Sequence, residues 1–173
     1  MESKHRIFQS PNGTGGVFMS LSRHHILREM KEIGIKYIQM MGIENVLNKP
    51  ADPFLIGYTE ENNLDCSTKF FLRYDQKEKR PIFVLRNGYP HVAEYSHSTS
   101  ELFEERKQDG NLKYEHNLLM DTVFSMSFLE EIVAFRRKEL AKNYHVKKSR
   151  LRYYDESLKE TVYPLEDNGY KFQ

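Results

Sequence analysis

RIFQSPNGTGGVFMSLSRHHILREMKEIGIKYIQMM, residues 6–41, decides how the rest of the chain reads. RIFQ has the makings of a short strand, SPNGTGG is a glycine-rich turn, and helical spacing begins after Gly16. Ile26, Leu27, Met30 and Ile33 recur at helix spacing, and Gly34 supplies a C-cap before a β-rich run over residues 35–41. The stretch therefore predicts βαβ. A helical crossover of that length favours a parallel sheet, and such sheets place ligands beyond the carboxyl ends of their strands. The loop after Met41 gains interest for that reason.

Working outward, FFLRYD and PIFVLR are further β-rich runs, and Asn87-Gly88 is a turn signal for a hairpin returning over residues 89–95. Ser98 with Glu101, and Ser127 with Glu130, have capping-box spacing, which predicts helices running to about residue 108 and about residue 143. From Lys147 onward KKSRLRYYDE and YPLEDNGYKFQ are mixed charged and aromatic. The predicted fold class is α/β.

A chain of 173 residues, 39% hydrophobic and 13% aromatic, can bury the core of one domain. Lys and Arg number 26 against 25 for Asp and Glu, and a net charge of +1 gives no overall field to hold a polyanion or a lipid surface. Nucleic acid and membrane are therefore not expected as partners. The apolar segment FSMSFLEEIVAF is interrupted by two glutamates and falls short of the roughly 20 residues a membrane helix needs. The single cysteine, Cys66, cannot pair within the chain, and MESKHRIFQSP has no apolar secretory segment, so a cytoplasmic setting is expected.

Two segments carry candidate chemistry. Glycines in PNGTGG, residues 11–16, let backbone N–H groups approach a base, ribose or phosphate, although a plain turn uses them equally well. In GIENVLNKPADP, residues 42–53, the Glu44 carboxylate can hold a divalent cation against phosphate oxygens with Lys49 as a nearby point charge, or be a solvated loop acid. His24 and His25 are adjacent on a predicted helix, point to different faces and suit no shared metal. Lys147, Lys148, Arg150 and Arg152 beside Tyr153 and Tyr154 form either a solvated basic face or a nucleic-acid contact.

NGTGG, then KEIGIKYIQMMGIENVLNKPADPFLIGY, then VAEYS, SFLEEI, HVKK and NGYKF occur in the order and spacing of one family, and the chain resembles eukaryotic-type UDP-N-acetylglucosamine pyrophosphorylases over nearly its whole length. The resemblance implies part of a Rossmann-like, GT-A-like nucleotidyltransferase mixed β-sheet flanked by helices. It implies joining of UTP to N-acetylglucosamine 1-phosphate with release of pyrophosphate, Mg2+ as cofactor, and no side-chain nucleophile, because such chemistry needs positioning and charge neutralisation. Residue by residue, it implies nucleotide binding at Gly13 and Thr14, a metal-binding carboxylate at Glu44, and sugar binding at Glu94.

Some positions depart from the family pattern. Thr14 replaces an Asn, and Glu44 stands where the family has the Asp of a VDN motif. In the sugar pocket Pro81 replaces a glycine, Leu118 the Asn of a GNI motif, and Asp121 with Thr122 an Asn-His pair. A leucine cannot make an amide's hydrogen bonds, so discrimination between sugars is expected to suffer. The resemblance further implies that residues 1–173 form a single partial catalytic domain, without the family's GxGTRLG triphosphate loop or its C-terminal part. The departures leave a second expectation open: a truncated, degenerate, non-catalytic relative that binds a nucleotide sugar or a full-length partner.

Overall fold

The computed structural model describes residues 3–9, 13–75, 77–78, 80–95, 98–142 and 146–172. The elements run α1 (Gly16–Arg23), α2 (Ile26–Glu32), β1 (Tyr37–Met41), α3 (Pro53–Glu61), β2 (Cys66–Leu72), β3 (Ile82–Arg86), β4 (Tyr89–Ala93) and α4 (Ser100–Glu104). After these come β5 (His116–Ser125), α5 (Met126–Phe135), α6 (Arg137–Lys142), β6 (Val146–Ser149), β7 (Tyr153–Asp155), β8 (Glu160–Val162) and β9 (Gly169–Phe172). They divide into two compact units, Met1–Ile35 with Leu129–Gln173, and Lys36–Phe128.

In the first unit the opening differs from the βαβ expectation. Residues 3–9 make only an isolated bridge between Ser3 and Arg6, and the expected single helix is two. The break falls at His25, whose φ of 59° is left-handed and cannot continue a right-handed helix. Gly34, at φ 84°, closes α2 as expected: its N–H reaches the Lys31 carbonyl and that of Ile35 reaches Met30, the paired bonds of a Schellman cap. Among the described residues Leu27, Leu129 and Val133 are the buried apolar ones of this unit. β6 pairs antiparallel with β9, and β7 with β8.

The second unit is a five-stranded sheet built on β5. The order is β1-β5-β3-β4 with β2 also paired to β5, and every pairing is antiparallel. The parallel arrangement expected from the opening segment is therefore corrected: the partner of β1 is not a preceding strand but β5, far along the chain. β1 meets residues 121–125 of β5 and β3 meets it at Asn117, while β2 covers residues 116–124 on the other edge. The expected hairpin forms, with Asn87 at φ 54° and Gly88 at φ 81° in the left-handed pair that a two-residue turn requires. Ile82, Ala93 and Phe103 form its buried apolar cluster, flanked by Val84, Tyr95, Leu102 and Tyr114.

Two helix expectations are also corrected. Thr99, not Ser98, precedes α4, which stops at Glu104, and an Arg106–Leu112 bridge follows where helix was expected. At α5 the hydroxyl that caps the helix belongs to Ser125, accepting from the Phe128 N–H at 3.2 Å, and the helix ends at Phe135 before a separate α6. The expected helix end at Asn143 lies outside the described residues.

One polar network ties α3 to this sheet. Asp52 caps α3 by accepting from the Phe54 N–H at 3.2 Å. The Lys69 ammonium on β2 stands 2.7 Å from the Asp52 carboxylate and 2.7 Å from that of Asp121 on β5. Gln39 of β1 donates to Asp121 at 2.6 Å and to the Lys49 carbonyl at 3.2 Å, and accepts from the Asp52 N–H at 3.4 Å. Three strands and a helix cap thus converge on two carboxylates and one ammonium. Asp121 is fully buried, so its charge is tolerable only because Lys69 and Gln39 compensate it.

Lys69→Met leaves the Asp121 carboxylate buried without its cation. A fully buried pair loses about 3–5 kcal/mol on such a change. Because the Lys69 side chain is a third exposed, a loss of about 2–3 kcal/mol is expected from urea unfolding. The Lys69 ammonium holds the Asp52 carboxyl below the usual carboxylate range, while Asp121 first and Asp52 second raise the Lys69 pKa. A lowered carboxyl stabilises above its unfolded value of about 3.9 and ceases to do so as pH falls through its folded value. The raised ammonium stabilises below about 10.4 and loses that contribution as pH rises through its folded value. Asp52→Asn keeps a capping side chain while removing the charge. It should flatten the decline in Tm below about pH 4; an acid limb identical to wild type would contradict this network.

Candidate functional site

β1 ends at Met41, and the loop after it is shaped by its own side chains. The Gly42 N–H donates to the Met120 carbonyl at 2.7 Å, carrying the β1–β5 pairing one residue past the strand. Asn48 donates to the Gly42 carbonyl at 2.7 Å, Asn45 donates to the Asn48 side-chain oxygen at 3.0 Å, and Asn45 accepts from the Leu47 N–H at 3.1 Å. These asparagines fold the loop locally, as short amides do in turns. Glu44 curls back over the strand end: a Cβ at position 42 would lie 2.8 Å from its Oε2 atom. A side chain at 42 would therefore move the Glu44 carboxylate from this position.

The result is a cleft of about 670 Å³ in which Glu44 and Arg80 are the charged side chains, Asn45 and Asn48 the polar ones, and Phe71, Leu119 and Met120 the apolar ones. The Arg80 guanidinium lies 5.8 Å over the Phe71 ring, a contact that holds a planar cation without consuming its hydrogen-bond donors. Sequence reasoning put Lys49 in this role. Its ammonium instead lies 5.9 Å over the Phe54 ring, and Lys49 is not among the cleft's lining residues. Arg80 escapes sequence reasoning because it closes a charged run, DQKEKR over residues 75–80, remote in sequence from the loop after β1.

The sugar-pocket expectations fall across neighbouring strands. Ile82 pairs with both Ala93 and Asn117. Continued by one residue, these registers set Pro81 opposite Glu94 and Leu118, and the Leu118 N–H does donate to the Pro81 carbonyl at 2.9 Å. Three expected positions therefore form one row across β4, β3 and β5. That row adjoins the cleft, whose wall includes Leu119 and Met120. Glu94 is exposed and free to meet a ligand.

Asp121 does not share this freedom. It is fully buried and committed to Lys69 and Gln39, and Thr122 donates to the Thr68 hydroxyl at 2.8 Å. The structure gives both residues packing roles. Lys69 and Gln39, which hold Asp121, and Asp52, which shares them, carry no motif of their own in the sequence; KPADP, with an aspartate before a proline-initiated helix, is the available signal.

Gly13 and Thr14 belong to the other unit. Gly13 takes φ 74°, and the N–H groups of Gly16 and Val17 donate to the Gly13 and Thr14 carbonyls at 3.3 and 3.2 Å as α1 begins. Both residues are exposed, and the preceding Pro11 and Asn12 lie outside the described residues. Cys66 is exposed at the start of β2.

As a metal position Glu44 offers one carboxylate. Among the described residues no group of three or more His, Cys, Asp or Glu could by itself hold a metal ion. Magnesium commonly takes one or two protein carboxylates and completes its shell with water and substrate phosphate. Glu44, beside a cleft open to solvent and faced by Arg80, fits that shared mode of binding.

Comparison with known proteins gives the family and the fold. The sequence profile of UTP–glucose-1-phosphate uridylyltransferases matches residues 2–163. The UDP-N-acetylhexosamine pyrophosphorylase-like protein 1 of Mus musculus is 30% identical over 173 residues, all of this chain and 34% of that protein. The UDP-N-acetylglucosamine pyrophosphorylase of Saccharomyces cerevisiae is 29% identical over 173 residues, all of this chain and 36% of its own length. The chain thus spans about a third of these relatives. Among solved structures, an Entamoeba histolytica protein assigned as a UDP-N-acetylglucosamine pyrophosphorylase superposes with a TM-score of 0.82 at 30% identity, over 99% of this chain and 41% of that one. The uridine diphosphate N-acetylglucosamine pyrophosphorylase of Trypanosoma brucei superposes at 0.74 with 26% identity, over 87% and 30%. The α/β nucleotidyltransferase-like fold of these enzymes is the fold described above, and the chain belongs to the UTP–glucose-1-phosphate uridylyltransferase family.

Proposed function

We propose that this chain is part of a UDP-N-acetylglucosamine diphosphorylase, which converts UTP and N-acetylglucosamine 1-phosphate to UDP-N-acetylglucosamine and pyrophosphate. The observation that supports it best is the continuity along β5 of two features: the Glu44–Arg80 cleft and the row of Pro81, Glu94 and Leu118. A sugar phosphate needs hydroxyl acceptors at one end and cationic neutralisation at the other, and Glu94 and Arg80, at the ends of neighbouring strands beside β5, offer the two kinds of group. The reading takes residues 1–173 as one part of a catalytic domain, and places it in the cytoplasm with no nucleic-acid or membrane partner. No helix among the described residues is long and apolar enough to cross a membrane.

In this reading Glu94 accepts hydrogen bonds from sugar hydroxyls, and Arg80 offers its donors to phosphate oxygens. Gly13 and Thr14 contact the uridine. Glu44 would hold a magnesium ion, which when bound would supply positive charge to phosphate oxygens; the sugar phosphate oxygen attacks the α-phosphorus of UTP and pyrophosphate leaves. The cleft's asparagines keep Glu44 in place, since a shift of about 1 Å can cost roughly a hundredfold in rate.

A second reading, a degenerate relative that binds a nucleotide sugar or a full-length partner without turnover, is favoured by one specific observation. Asp121 is sealed by Lys69, and Pro81 and Leu118 bring no polar side-chain group, so three of the four sugar-pocket positions offer substrate no side-chain hydrogen bond.

Calorimetry with UDP-N-acetylglucosamine and Mg2+ tests the shared part of both readings. Binding is expected, weakened about tenfold or more by Glu94→Ala, the worth of a hydrogen bond to a charged group. Heat that Glu94→Ala leaves unchanged would remove the sugar site from this row. Pyrophosphate release from UTP and N-acetylglucosamine 1-phosphate separates the readings: turnover lost in Glu44→Ala supports the enzyme, whereas binding with no turnover in wild type supports the degenerate relative.

A further inference from the structure

The β6–β9 region contains a second cleft that the pyrophosphorylase reading does not use. Leu151 follows β6 and is clasped at both backbone groups by one side chain: its N–H donates to the Asn168 side-chain oxygen at 2.7 Å, and its carbonyl accepts from the Asn168 amide at 2.8 Å. Its own side chain lies over Gly169, where a Cβ would come within 2.6 Å of the leucine Cδ1 atom. Asn168-Gly169 therefore fixes Leu151 in one orientation, and any side chain at 169 would displace it.

With Leu151 held, its two neighbours project together. Arg150 and Arg152 both line a cleft of about 430 Å³ whose other walls are Phe8, Tyr163 and Pro164. The Arg152 guanidinium lies 6.0 Å from the Phe8 ring centre and 3.4 Å from the Tyr163 hydroxyl, which orients its fork. Among the described residues no acidic side chain lines the cleft, and the run VKKSRLRYY over residues 146–154 holds four basic residues and no carboxylate. Two guanidiniums, a phenol hydroxyl, the exposed Tyr163 ring and the half-buried Phe8 ring form a set suited to one class of ligand: a phosphate for the two cations and a flat ring for the aromatic walls.

We propose that this cleft binds a nucleoside monophosphate, its phosphate held by Arg150 and Arg152 and its base against Phe8 and Tyr163. The site would give the protein a nucleotide response separate from its sugar-nucleotide chemistry.

The test is calorimetry of the purified chain with adenosine 5′-monophosphate, whose purine also separates it from the proposed uridine contact. Adenosine 5′-monophosphate should bind, and adenosine or inorganic phosphate alone should bind about tenfold more weakly, since each satisfies half the cleft. Arg150→Gln, at an exposed position, should weaken binding about tenfold, Arg150→Lys less, and Tyr163→Ala about tenfold, with Glu94→Ala without effect. Circular dichroism confirms that each variant folds. The proposal is overturned by absence of heat from folded protein, by binding indifferent to Arg150→Gln, or by loss of binding in Glu94→Ala. A pentathymidylate strand binding more than about tenfold tighter than the mononucleotide would also overturn it, in favour of a strand-binding face.

Discussion

Lys69 sits between two carboxylates, and the form of the sheet unit follows from that placement. Its ammonium is 2.7 Å from Asp52, which caps α3, and 2.7 Å from Asp121, buried on the central strand. With Gln39 bridging the same two aspartates from β1, one cation sets where the helix begins and how β1 and β2 flank β5. Each carboxylate would be costly in that environment without it, because a buried charge must find a counter-charge or take up a proton. The network therefore specifies the packing more than it adds to net stability. An apolar replacement of similar volume could be as stable, but would not discriminate this register from another.

The consequences reach the candidate site along β5. Once Asp121 is fixed, Met120 offers its carbonyl to Gly42, and the Glu44 loop is anchored at the strand end where it faces Arg80. Leu118, three residues before Asp121, takes its place beside Pro81 and in register with Glu94. The same commitment withdraws Asp121 from any substrate. Family membership rests on the profile match and the fold, while among the positions that the resemblance assigns to sugar binding only Glu94 keeps an exposed polar side chain.

The sequence made some of this plain and hid the rest for identifiable reasons. The Asn87-Gly88 hairpin and the Gly34 cap were legible because both depend on local backbone conformation. The central strand β5 was not read as one. Its buried positions include Asn117 and Asp121 beside Val123, so polar residues occupy the face where alternation should have shown apolar ones. The break at His25 was hidden because nothing about a His-His pair demands a left-handed residue, and apolar spacing continued across it. Parallel strands were expected because local order suggested a crossover, whereas the partner of β1 lies about 80 residues further on, beyond the reach of local pattern. Glu44 and Glu94 could be picked out by resemblance, but Arg80 and Lys69 matter through contacts that only the folded chain brings together.

A double-mutant cycle between Lys69→Met and Asp121→Asn, followed by urea unfolding, tests the central interaction most directly. If the ammonium holds the buried carboxylate, the Lys69 substitution should cost much less once Asp121 is neutral, with a coupling of about 1–3 kcal/mol. Additive effects, with a coupling below about 0.5 kcal/mol, would contradict the dependence of the sheet and its site on this ion pair.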